Sequence, residues 1–246
     1  MRILGISGSL RRDSYNTALL RHAGELFEAE GAQFTLYTGL RDIPPFDEDQ
    51  EINAPETVER LRAAIARADG VFFVTPEYNS SVPGVLKNAL DWVSRPIATN
   101  TIRNKPVAVI GASTGGFGAV WSQAELRKVL GAMGARVVDG EVAVGHAMDR
   151  FDSLGRLNDP NLEEQVREVV RELVVEAECV AVAHNGQGSD HRHDAPARDG
   201  GKRARDSRQL DLARSDPKRG EPSPSRGGRR RVRPRNERTD APGPTR

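Results

Sequence analysis

Gly5-Ile6-Ser7-Gly8-Ser9-Leu10-Arg11-Arg12-Asp13-Ser14-Tyr15-Asn16-Thr17 joins two segments of different periodicity. Before it, the apolar run from Ile3 to Ile6 has the length of a short buried strand. After it, Ala18, Leu19, Leu20, Ala23, Leu26 and Phe27 recur at helical spacing. The stretch is therefore a strand-to-helix turn rich in Gly and Ser. Such a turn aims backbone N–H groups, and the positive end of the helix dipole, at whatever lies in front of it. Ser9, Ser14, Asn16 and Thr17 add side-chain donors, and Arg11 adds a permanent positive charge. The spacing is neither GxGxxG nor that of a P-loop with Lys before Ser/Thr. Hydroxyl donors dominate, which suits a single terminal phosphomonoester. The same residues fit an ordinary capped turn, because Ser and Asn cap helices routinely, and the stretch by itself leaves both readings open.

Outward from this turn, the chain alternates. Gln33–Tyr37 reads as a second strand. Val58, Leu61, Ala64 and Ile65 mark a helix with Glu56 and Glu59 in its first turn, where the dipole favours them. Val71-Phe72-Phe73-Val74 is a continuous apolar run, as expected of a strand covered on both faces. A helix follows from about Val85 to Val93, a strand over Val107–Ile110, and a helix over Val120–Met133 ended by Gly134. Arg136-Val137-Val138 begins a fifth strand that Val142-Ala143-Val144 continues. Asp159-Pro160 opens a last helix carrying Leu162, Val166, Val169, Val170, Leu173, Val174 and Ala177. Five alternations of strand and helix predict one parallel sheet with helices on both faces. Ligands of such sheets sit outside the carboxyl ends of the strands. Loops 7–17, 75–83 and 111–118 each follow a strand, so all three fall on that edge.

The formal net charge of +1 conceals a division. Residues 1–183 carry 19 Lys and Arg against 26 Asp and Glu, a net −7, whereas residues 184–246 carry 17 against 9, a net +8. From His184 on, Gly, Pro, Ser, Asp and Arg dominate and apolar residues nearly vanish, so 184–246 is expected to be a disordered basic tail. Arg229-Arg230-Arg231 could touch nucleic acid or an acidic partner, but the tail has no aromatic residue to stack on single-stranded bases, and a solvated tail is the better reading. The single cysteine, Cys179, excludes an internal disulfide and a cysteine metal cluster. It fits a reducing, cytoplasmic setting and reads as a buried structural thiol. No apolar run reaches the length that spans a bilayer, and no signal segment opens the chain. Trp92 and Trp121 read as core or interface anchors.

Pro76 and Pro83 stiffen the second loop, whose Glu77, Tyr78 and Asn79 can line the edge of a flat heterocycle. Tyr78 can pack on such a ring, and Gly115-Gly116 lets a backbone approach it from the other side. Read alone, loop 75–83 is equally a Pro-bounded turn, and Gly115-Gly116 is better read as a flexible connector. Together, a flat ring and one phosphate on an α/β rim describe flavin mononucleotide (FMN). Glu77 invites assignment as a proton source, but a carboxylate capping a loop is the commoner case.

Gly8-Ser9-Leu10-Arg11-x-x-Ser14-x-Asn16, followed by Pro76-Glu77-Tyr78-Asn79-x-Ser81-Val82-Pro83-Gly84-x-Leu86-Lys87-Asn88-Ala89-x-Asp91-Trp92, resembles the NADPH-dependent FMN reductase family. Its members include bacterial quinone and chromate reductases and related azoreductases. The resemblance covers roughly residues 1–180 of a domain that composition ends at residue 183. It implies a flavodoxin-like, doubly wound, five-stranded parallel sheet of order 2-1-3-4-5. It implies that Ser9, Arg11, Ser14 and Asn16, with Thr17 beside them, hold the FMN phosphate. Pro76, Glu77, Tyr78 and Asn79 would contact the ribityl chain and ring, and Ser113, Thr114, Gly115 and Gly116 would close the far side. The implied activity is ping-pong hydride transfer from NADPH or NADH through bound FMN to a quinone or similar small acceptor, in a homodimer or homotetramer, with no protein acid, base or nucleophile and no metal. A reading from another class is a flavodoxin-like electron carrier or redox-sensing binding module without NAD(P)H turnover. Ser80 departs from the pattern, standing where many members carry an aromatic residue.

Overall fold

The computed structural model of the chain describes residues 1–186, with side chains as far as Ala183. The sheet has the order β2-β1-β3-β4-β5, all parallel: β1 is Arg2–Ser7, β2 Gln33–Tyr37, β3 Gly70–Thr75, β4 Pro106–Ala112 and β5 Arg136–Val137. Ile3 lies opposite both Phe34 and Gly70, and Phe73 opposite Val109. This is the order expected from the sequence, with one difference at the outer edge. The fifth strand is broken: a second short strand, β6 (Ala143–Val144), pairs with the far end of β4. The guanidinium of Arg127 takes the carbonyls of Val138 (2.7 Å), Asp139 (3.2 Å) and Gly140 (3.2 Å), and its Nε lies 3.2 Å from Glu141. These bonds gather the carbonyls of residues 138–140 onto one side chain, where the strand pairing lapses.

Alternation along the strands puts the helices on both faces. Leu4, Ile6, Val71, Phe73, Val107 and Val109 pack under α2 (Glu56–Arg67), α3 (Gly84–Val93) and α4 (Val120–Ala132). Ile3, Phe72, Val74, Ala108 and Ile110 pack under α1 (Tyr15–Ala29) and α5 (Pro160–Gly186). Every residue of β3 and β4 is buried, which explains why their runs show no alternation in the sequence. Helix α5 continues to Gly186, past the residue where composition places the end of the domain, and the expected tail falls from residue 187 outside the described residues. Cys179 corrects an expectation: it is exposed. Leu173 and Ala177 carry the buried face of α5, and a residue two positions beyond Ala177 points away from it. Trp92 is fully buried, whereas Trp121 is 47% exposed.

His22 on α1 is buried, and neither ring nitrogen has a hydrogen-bond partner. Burial pulls its pKa below the ordinary 6.5, while Glu163 of α5 and Glu25 of its own helix oppose this and Arg156 and Arg167 reinforce it. Below about pH 6.5 the unfolded chain therefore takes up a proton that the folded chain refuses, and stability falls with pH. His22→Leu removes the two unsatisfied nitrogens and this proton uptake. Thermal melts at pH 7.5 and 5.5 should show the wild type losing more on acidification than the variant. Equal losses in both would remove His22 as the cause.

Candidate active site

The carboxyl ends of β1, β3 and β4 release three loops at one rim, and these loops enclose a cleft of about 420 Å³. Ser9, Arg11, Ser14, Tyr15 and Asn16 come from the first, Pro76, Glu77 and Tyr78 from the second, Ala112, Ser113 and Thr114 from the third, and Met148 from the segment after β6. A larger cleft of about 690 Å³ lies elsewhere, between β5 and α5, and contains none of the expected site residues.

In the first loop the donors are unevenly committed. Ser14 occupies the N-cap position of α1, yet its hydroxyl makes no capping hydrogen bond. The capped-turn reading of this residue therefore fails, and its hydroxyl is left for the cleft. Arg11 lies 5.3 Å over the Tyr15 ring, which itself stacks on Phe151 at 5.6 Å, and among the described residues it has no carboxylate partner. Ser9 Oγ accepts only a long bond from the Arg11 N–H (3.4 Å). Asn16 and Thr17 are otherwise engaged. Asn16 exchanges two hydrogen bonds with Ala112, and Thr17 Oγ1 lies 3.0 Å from Ser7 Oγ. Thr17 does not line the cleft.

The second loop is braced on α4. Glu77 Oε2 accepts from the Trp121 N–H (3.0 Å) and the Ser122 N–H (3.2 Å), two of the free donors at the helix start. Glu125 returns the contact, accepting from Ser81 Oγ (2.5 Å) and the Val82 N–H (3.2 Å), and these bonds hold its carboxyl below the usual carboxylate range. Asn79 (φ 53°) and Ser80 (φ 57°) form the tip of a two-residue turn closed by reciprocal Tyr78–Ser81 backbone bonds. Asn79 is not among the residues lining the cleft, while Tyr78 lines it and is 54% exposed. The later part of the second motif serves the neighbouring loop: Asn88 holds the Pro44 carbonyl (2.8 Å) and the Phe46 N–H (2.7 Å), and Trp92 Nε1 donates to Pro44 (2.9 Å).

The third loop leans on residues 143–147. The Ser113 N–H donates to Val144 and the His146 N–H to Gly115, both at 3.0 Å. Ser113 and Thr114 face the cleft. Gly115 and Gly116 do not line it; Gly116 packs against Gly145, where a Cβ would sit 2.3 Å from its carbonyl oxygen. Three cleft residues escaped the sequence reading: Ala112, the last residue of β4, with Tyr15 and Met148. Tyr15 lay inside the quoted turn and becomes visible only as the plate beneath Arg11. Met148, 68% exposed, carries no sequence signal, because only the pairing of β6 with β4 brings it to the rim.

The donor set fits FMN: one unpaired guanidinium and serine hydroxyls at a helix N-terminus for a phosphomonoester, then a slot edged by Pro76, Tyr78 and Ser113 for a flat ring. Comparison with known proteins agrees. The profile of the NADPH-dependent FMN reductases matches residues 1–149. An NAD(P)H-dependent FMN reductase of Pseudomonas aeruginosa is 41% identical over 175 residues, covering 70% of this chain and 93% of that protein. A quinone reductase of Pseudomonas putida is 40% identical over 156 residues, covering 63% and 83%. Among solved structures, the flavoenzyme NAD(P)H:(acceptor) oxidoreductase FerB from Paracoccus denitrificans superposes with a TM-score of 0.67 at 34% identity, covering 72% of this chain and 97% of that one. The chain belongs to the NADPH-dependent FMN reductase family.

Proposed function

We propose that the rim cleft holds FMN with its phosphate on Ser9, Arg11 and Ser14 and its ring between loop 75–83 and Ser113–Thr114. The protein is an FMN-dependent NAD(P)H oxidoreductase that reduces quinones or similar small electron acceptors. When bound, FMN supplies the hydride-accepting and hydride-donating centre. The protein binds and orients. Arg11, stacked on Tyr15, is a charge fixed in place for the phosphate. Glu77 is spent on the α4 N-terminus and moves no proton in this reading. Tyr78 and Met148 are exposed beside the cleft, where an aromatic acceptor or a nicotinamide can pack. The observation that carries the assignment is the convergence of three separate loops on one cleft at the carboxyl edge of a parallel sheet.

Assembly as a homodimer or homotetramer is part of the proposal. It is supported by Phe117 and Trp121, 68% and 47% exposed and 5.0 Å apart on the rim. So is a cytoplasmic setting, supported by the lone cysteine. No described helix is long and apolar enough to cross a membrane.

The deciding experiment mixes purified protein, FMN and NADPH without oxygen and follows flavin absorbance. Rapid bleaching, followed by recovery of the yellow colour on adding a quinone, is the expected result. Binding of FMN without reduction would place the chain among electron carriers, and failure to bind FMN would end the assignment.

A further inference from the structure

Asn16 is 4% exposed, sits in the first turn of α1, and gives both ends of its carboxamide to one residue 96 positions away. Its Nδ2 donates to the Ala112 carbonyl and its Oδ1 accepts from the Ala112 N–H, each at 2.9 Å. The sheet explains why Ala112 needs such a partner. Successive residues of a strand turn their backbone groups to opposite neighbours. Gly111 and Ser113 donate to Val142 and Val144, toward β6, so Ala112 faces β3. The β3 ladder stops one residue short, at Thr75 opposite Gly111, where the chain departs through Pro76. The Asn16 carboxamide takes the place of the missing peptide group. It thereby ties the helix that bears the phosphate donors to the strand end that releases Ser113 and Thr114.

We propose that Asn16 is a positioning residue, which sets the width of the flavin cleft by holding Ala112 and gives no hydrogen bond to the FMN phosphate. This rests on the reading that the cleft holds FMN. The one group that could contradict it is the second hydrogen on Nδ2, which Ala112 does not use. Without Asn16, the N–H and carbonyl of Ala112 are left unpaired in a buried place, and the third loop is freed from the first. A ligand spanning both loops then binds less well whether or not it carries a phosphate.

Fluorescence titrations with FMN and with riboflavin, which lacks the phosphate, separate the alternatives. For Asn16→Ala, and for the milder Asn16→Ser, the dissociation constants of both flavins should rise by the same factor, about tenfold or more. Arg11→Ala, as the phosphate-selective control, should weaken FMN and spare riboflavin. A rise for FMN alone in the Asn16 variants overturns the proposal while leaving the cleft assignment intact. A lowered Tm with both dissociation constants unchanged also overturns it, since Asn16 would then be structural only. Wild-type protein that binds neither flavin removes the cleft assignment and this proposal together. A measurement on isotopically labelled wild-type protein needs no variant to fold. The Asn16 Nδ2 resonances should coincide in the FMN and riboflavin complexes, and a phosphate-dependent shift overturns the proposal.

Discussion

Gly118→Ala should lower the melting temperature by about 5–15 °C, the equivalent of roughly 2–5 kcal/mol. Gly118 has φ +58°, a left-handed conformation that costs any residue with a Cβ. A Cβ there would also lie 2.4 Å from the Ala143 carbonyl carbon and 2.7 Å from the Val144 nitrogen. These are backbone atoms of the β6 edge and cannot swing aside as a side chain would. The third loop must lift off residues 143–147, which carries Ser113 and Thr114 away from the cleft, so FMN affinity should fall with stability. Gly115→Ala is the contrast. Its Cβ meets only Ser113 Oγ, at 3.5 Å, and its stability should change by less than about 0.5 kcal/mol. Equal melting temperatures for the two variants would show that the 118–143 contact does not hold the loop. The sequence places these glycines in one Gly-rich turn and gives no means of telling them apart.

Glu77→Ala should cost about 1–3 kcal/mol. The α4 N-cap position is Ala119, which has no side-chain acceptor to offer, so the cap arrives from loop 75–83 across 44 residues of chain. Alanine at 77 leaves the Trp121 and Ser122 N–H groups unpaired and unlatches the loop that bears Tyr78. Glu77→Gln keeps an acceptor oxygen but loses the charge facing the helix dipole, and should cost about 0.3–1 kcal/mol. Melting temperatures and the pH profile of kcat are read together. A cap predicts graded losses of stability, with the pH profile of kcat unchanged in the glutamine variant. A proton donor predicts the reverse: an unaltered melt and a kcat that collapses in Glu77→Gln with its alkaline limb missing.

Other parts of the site were legible from residue types alone. Ser9, Arg11 and Ser14 meet at the cleft because a strand, a short turn and a helix start form a local unit, and nothing distant is needed to place them. Glu77 was legible as a capping carboxylate, although the helix it caps was not. Thr17, Asn79, Gly115 and Gly116 stand beside cleft residues in sequence but not at the cleft itself. Thr17 pairs with Ser7, Asn79 serves a left-handed turn, and the Gly116 carbonyl packs against Gly145. Cys179 is exposed where a buried thiol is expected, because helical periodicity directs it away from the sheet.

The alternation of strands and helices and the continuous apolar runs of β3 and β4 were sufficient to determine a parallel sheet with helices on both faces and the edge where a ligand sits, because each depends on local periodicity and chain chirality, while the strand order was implied by the family resemblance. How each polar side chain spends its hydrogen bonds was decided by the tertiary structure. Asn16 meets Ala112 and Glu77 meets Trp121 only once residues far apart in the chain are packed side by side. A polar group takes whichever partner folding brings within about 3 Å, and no spacing along the sequence records that choice.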